Sequence, residues 1–194
     1  MSRWFSWGPA LSYKGRKFKG LRGWSGKPSH PPLTDIPITC YILAAVFDTI
    51  SVVKGGEPAG RDFFLAATYV LVPGYLVGVL AVLTGVWDWL KSTPKHSQVW
   101  RTANAHWILM GATQGIFLVN LIVRWVRWDE LDHTSPTLLV LSLIGAGLVT
   151  LGSFYGGTLV FDYGFNVENA TDLPQYHPSD KDIYPRDKDG GSTG

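Results

Sequence analysis

The chain has 194 residues, 46% of them apolar and only 16% charged, with 22 glycines, nine tryptophans and one cysteine. Soluble domains carry about a quarter charged residues, and here the charges gather at the two ends and in short loops, so composition excludes an ordinary soluble globular protein. Cys40 stands alone in an apolar run, which excludes an internal disulfide, a CxxC metal or redox pair and haem attached through CxxCH, and a net charge of +2 makes no case for nucleic-acid binding.

Residues 1–32 form a basic, aromatic segment in which seven lysines and arginines, with no acidic residue among the first 30, alternate with Trp4, Phe5, Trp7, Tyr13, Phe18 and Trp24. Cations suit anionic head groups and aromatic rings suit the water boundary, so the segment reads as interfacial. It is too long ahead of the first apolar run, and lacks the small-residue cleavage site, to read as a secretory signal.

Four apolar stretches follow, at about 33–53, 63–90, 103–126 and 136–161. Each holds about 20 residues or more, which at 1.5 Å per residue crosses a hydrocarbon layer about 30 Å thick. Strands do not reach such lengths. The expected fold is therefore all-α: an integral membrane four-helix bundle over 33–161 whose short connections make successive helices antiparallel neighbours. Four spans put both termini on one side. That side carries thirteen lysines and arginines in the head, second loop and tail, against Lys54, Arg61, Arg124 and Arg127 on the other, so the positive-inside rule places both termini in the cytoplasm. The tail, 162–194, has seven acidic residues and three basic ones and reads as largely irregular. Its Asn169-Ala170-Thr171 sequon would be silent in the cytoplasm.

Small residues mark expected helix contacts. Gly74, Gly78, Ala81 and Gly85 share one face of the second helix, and Gly111/Gly115 and Gly152/Gly156 repeat the G-x-x-x-G spacing in the third and fourth. Such stripes let backbones approach closely in lipid, or make room for a flat cofactor or a partner helix.

Ionisable residues inside spans cost several kcal/mol in lipid and mark function. His30 and Asp35 at the start of the first helix, Asp88 at the end of the second, His106 at the start of the third and Asp162 at the end of the fourth fall at one depth. Three readings compete. Asp35 and the histidines close the base of the bundle by hydrogen bonds; or His30 and His106 are the axial ligands of one haem b held between the first and third helices; or His30, Asp35, Asp88 and His106 belong to a metal or proton-relay site. Toward the other face, Asp48 and Arg124 reach comparable heights and are expected to form a buried structural pair joined by Asn120, while Gln114 lies near the face of His106 as a mid-membrane hydrogen-bonding group. No P-loop, G-x-G-x-x-G, G-x-S-x-G or H-E-x-x-H motif occurs, and no internal repeat is evident.

The run Ser29-His30-Pro31-Pro32-Leu33-Thr34-Asp35-Ile36-Pro37-Ile38 resembles the His-Pro-x-x-x-x-x-Pro-Ile opening of a bacterial membrane family, domain of unknown function 2231. The similarity continues through Phe47-Asp48, Gly85-Val86-Trp87-Asp88-Trp89, Asn104-Ala105-His106 and Gly156-Gly157-Thr158-Leu159-Val160, over about 28–167. The resemblance implies a four-helix inner-membrane protein whose matching positions include His30, Asp48, Asp88 and His106. Some relatives are fused to or encoded beside Rieske-type iron–sulfur domains, so the resemblance leans toward membrane electron transfer. This chain lacks the Cys and His pairs of such a centre, and carries Thr34-Asp35 where many relatives have Val-His.

The leading expectation is thus a multi-pass subunit of the bacterial cytoplasmic membrane associated with electron transfer, holding haem b through His30 and His106, without independent catalytic activity, and embedded in lipid beside other membrane subunits of a redox complex. The competing expectations are a non-catalytic scaffold subunit of a larger membrane complex and a small metal or proton-coupled transporter.

Overall fold

The computed structural model describes residues 20–22 and 28–167. Most of the basic head, the acidic tail beyond residue 167 and the Asn169 sequon lie outside them. Among the described residues the chain forms four helices and no strand: α1 His30–Lys54, α2 Pro58–Ser92, α3 Gln98–Val126 and α4 Pro136–Phe161. All four are long and apolar enough to cross a membrane.

Helix starts fall earlier than the apolar runs suggest for α1 to α3, because polar first turns belong to the helices. Proline in the first turn of α1, α2 and α4 gives up an N–H that has no intrahelical acceptor there. Ser97 caps α3 by accepting the Trp100 N–H at 3.1 Å. Gly55, at φ 56° and ψ −136°, ends α1 and leaves only three residues before α2. That backbone conformation is one L side chains rarely adopt.

The bundle is two hairpins. α1 packs mainly on α2 and α3 mainly on α4; the hairpins meet through narrower α1–α4 and α2–α3 seams, so α1 faces α3 across the diagonal. On that diagonal Tyr41 stacks on Phe117, with ring centroids 4.1 Å apart and planes 20° apart, among Ala44, Leu71 and Val149. Glycines tighten the pairing at Gly74, against Cys40 and Tyr41, at Gly145, against the Phe117 ring, and at Gly152, against Met110. Gly111 and Gly115 differ from the expected packing role, since a Cβ on either would meet nothing within 4 Å.

At one end of the bundle the hairpins are joined by a fully buried polar network. Arg124 and Asp48, 1% and 0% exposed, form an ion pair. Asp48 also accepts from Thr134 Oγ1 at 2.8 Å and Ser142 Oγ at 2.5 Å. Arg124 donates through Nε to Asn120 Oδ1 at 2.7 Å and through Nη1 to Thr68 Oγ1 at 3.0 Å. The Asn120 amide returns to Ser142 Oγ at 2.9 Å. All four helices or their connections contribute, and both charges are paired and hydrogen-bonded, which is the condition for retaining them in an apolar layer.

Candidate functional site

The opposite end is hollow. A cavity of about 910 Å³ opens between the two hairpins and is lined by His30, His106, Asp35, Asp88, Trp89, Gln114 and a largely apolar remainder rich in glycine. His30 is the first residue of α1, and its Nδ1 lies 2.8 Å from the Ala81 carbonyl of α2. His106 stands in α3, and its Nδ1 lies 2.9 Å from the Gly152 carbonyl of α4. A carbonyl only accepts, so each Nδ1 carries the proton and each Nε2 is left as a bare lone pair. Neither Nε2 has a hydrogen-bond partner among the described residues. Both rings line the cavity and approach each other edge-on, with centroids 6.2 Å apart and planes 82° apart.

Four residues beyond each accepting carbonyl a glycine admits the ring. A Cβ on Gly85 would stand 2.8 Å from His30 Cε1, and one on Gly156 would stand 3.1 Å from His106 Cε1. Sequence spacing marked both glycines but not the carbonyls, because a backbone acceptor leaves no trace in residue identity.

The other expected members of the cluster are arranged differently. Asp35 is exposed at the cavity rim and has no hydrogen-bond partner among the described residues, and Asp162 is exposed and does not line the cavity. The histidines close the base by bonding to backbone carbonyls rather than to Asp35. Asp88 is buried and accepts the Leu21 N–H at 2.8 Å, which ties the segment before α1 across the end of α2. Among the described residues no three His, Cys, Asp or Glu side chains come together as a metal cluster. On the inner side, Tyr41 Oη donates to Gln114 Oε1, and Gln114 Nε2 donates to the Tyr75 carbonyl at 3.0 Å. Sequence reading did not find the wall made by Trp89 and Trp107, whose indole N–H groups both reach Asn104 Oδ1, at 2.9 and 3.3 Å.

Fold and site together define a multi-pass membrane protein whose four helices flank an open, two-histidine cavity near one end. The chain belongs to the family described as predicted membrane protein (DUF2231), which it matches over residues 26–169. Comparison with curated proteins gives no match, and comparison with solved structures gives none.

Proposed function

We propose that this is an electron-transfer subunit of the bacterial cytoplasmic membrane that holds one haem b between α1 and α3, with His30 and His106 as axial ligands. The observation that carries the reading is the pair of imidazoles, each pinned through Nδ1 to a backbone carbonyl and left with a bare Nε2 on a shared cavity. An outer hydrogen bond of this kind fixes ring orientation and tautomer in metal-ligating histidines. The two rings are near neighbours, with centroids 6.2 Å apart, so one group could reach both.

The cavity volume lies within the range of about 300–1,000 Å³ usual for cofactor sites, and glycines at 78, 85, 111, 156 and 157 leave it wide enough for a flat macrocycle. Haem bound this way supplies one-electron redox chemistry. Were His30 and His106 both to hold it, the protein would supply two ligands to the group, an arrangement suited to electron transfer. The excess of basic residues on the side of the termini supports the cytoplasmic placement of the chamber.

The test is a dithionite-reduced minus oxidised absorbance spectrum of detergent-purified protein with metal analysis of the same sample. The expected result is a sharp haem band that His30→Ala and His106→Ala each abolish while helical circular dichroism persists. Protein that stays colourless and metal-free after added haemin overturns the reading and leaves a scaffold role.

A further inference from the structure

The two hairpins carry the same parts in the same places. His30 and His106 lie 76 residues apart, and so do Tyr41 and Phe117, which stack on each other, and Asp48 and Arg124, which form the ion pair. On the second helix of each hairpin the offset is 71: Ala81 and Gly152 give the carbonyls that hold the two imidazoles, Gly85 and Gly156 admit the rings, and Gly74 and Gly145 lie beside the Tyr41 and Phe117 rings, Gly74 chiefly against Cys40. Outward faces agree as well, since Ile42 and Leu118 are 40% and 43% exposed, and Leu80 and Leu151 are 51% and 47%.

We propose that the chain is an internal duplication of one helical hairpin, that a rotation of half a turn about the bundle axis exchanges the copies, and that each copy is half of a single ligand site. Residues that meet their own counterparts across the bundle must lie on such an axis. Three pairs do so, at the histidines, at the stacked rings and at the ion pair. A ligand touching both histidines therefore also lies on the axis, which selects one central atom shared by two equivalent imidazoles over two separate centres. That last step takes the ligand's identity from the function proposed above; the duplication itself rests on geometry alone.

The ion pair then has a specific role. Two identical hairpins would bring two aspartates or two arginines together on the axis at zero exposure, and like charges there are costly. One of each makes unlike halves the favoured pairing and penalises like halves. The surroundings suit either arrangement of charge, because Ser142, Thr134 and Thr68 present hydroxyls that donate or accept, and the Asn120 amide does both.

The experiment uses the full chain in detergent. Asp48→Arg and Arg124→Asp each are expected to lower the thermal unfolding midpoint, and the exchanged double variant D48R/R124D to recover most of the loss. A double variant no more stable than the weaker single overturns the proposal. Folded protein is interrogated independently on a Cys40→Ala background, with spin labels at positions 42 and 80 in one sample and 118 and 151 in another. Matching distance distributions are expected, and means that differ by more than their widths overturn the proposal. The absorbance of the parent protein judges the haem reading separately: absence of haem with recovery and matching distances intact removes the haem and leaves the duplication.

Discussion

Adding a single methyl group behind each imidazole tests whether the chamber is a ligand site or only a packing defect. Ordinary van der Waals contact begins near 3.4 Å; a Cβ at Gly85 reaches His30 Cε1 at 2.8 Å and one at Gly156 reaches His106 Cε1 at 3.1 Å. The rings must give way by about 0.6 Å in Gly85→Ala and about 0.3 Å in Gly156→Ala. A functional constellation tolerates roughly 0.5 Å, so the first displacement exceeds the tolerance and the second does not. Disturbing a partner that orients a metal-bound histidine costs about 10–100-fold in affinity. Gly85→Ala is expected to weaken haemin binding by that factor and Gly156→Ala by less. Fold stability is expected to change little, since the helix gain of about 1 kcal/mol for Gly→Ala is offset by shifting a ring held at Nδ1 by a carbonyl. Haemin titration followed in the absorbance of the apoprotein, beside thermal melts of the same samples, separates the two effects. Greater loss in Gly156→Ala than in Gly85→Ala, or binding losses that merely follow a lowered melting point, would refute the reasoning.

Removing one partner of the buried ion pair, in Asp48→Asn or Arg124→Met, is expected to cost about 3–5 kcal/mol by unfolding in mixed detergent, and the double variant much less than the sum; strictly additive losses would show the charges to be uncoupled. Phe117→Ala removes a fully buried ring stacked on Tyr41 and is expected to cost about 3–5 kcal/mol; a loss below about 1 kcal/mol would mean that the diagonal stack does not hold the hairpins together. Asp88→Ala deprives the Leu21 N–H of its acceptor, so tryptic cleavage after Arg22 is expected to accelerate while the helices stay folded. An unchanged cleavage rate would show that Asp88 does not tether this segment.

The spans were legible because crossing a lipid layer imposes length and apolarity on each helix in turn, and the chain order leaves little choice of neighbours. Depth was legible too. His30 and His106 occupy the expected level, and Asp48, Arg124 and Asn120 come together at the other end. Direction around the helix was less so. Asp35 follows His30 by five residues, which at about 100° per residue turns it some 140° away, and it lies exposed at the rim. The spacing of Gly111 and Gly115 identified a face but not what stands against it, and no described residue comes within 4 Å of a Cβ on either. The repeat was hidden by two offsets, 76 and 71, produced by connections of different length, and by how few residues the copies share: beyond the histidines, Leu33 with Leu109, Gly74 with Gly145, Leu80 with Leu151 and Gly85 with Gly156. What the copies retain is burial at facing positions, as in Ala44 with Asn120 and Leu71 with Ser142, which residue identity records poorly.

The division of labour along the bundle follows from the same geometry. On both α1 and α3, eighteen residues separate the histidine from its member of the ion pair, about 27 Å at 1.5 Å per residue. Among the described residues no hydrogen bond spans that distance, so the polar network acts on the chamber by fixing the angle between two stiff hairpins. A pivot of about 2° at the ion pair moves an imidazole by about 1 Å over such a lever, twice the displacement a ligand constellation tolerates, at roughly 0.5 Å. The stacked Tyr41 and Phe117 rings, eleven residues from each histidine, shorten the free arm to about 16 Å and give the hairpins a second point of contact. Two fixed points on one axis define an angle, whereas one leaves it free. A chamber lined largely by glycine and apolar groups has little of its own to hold its two histidines at a set spacing, and the ring stack and the buried charge pair supply that constraint from farther along the bundle.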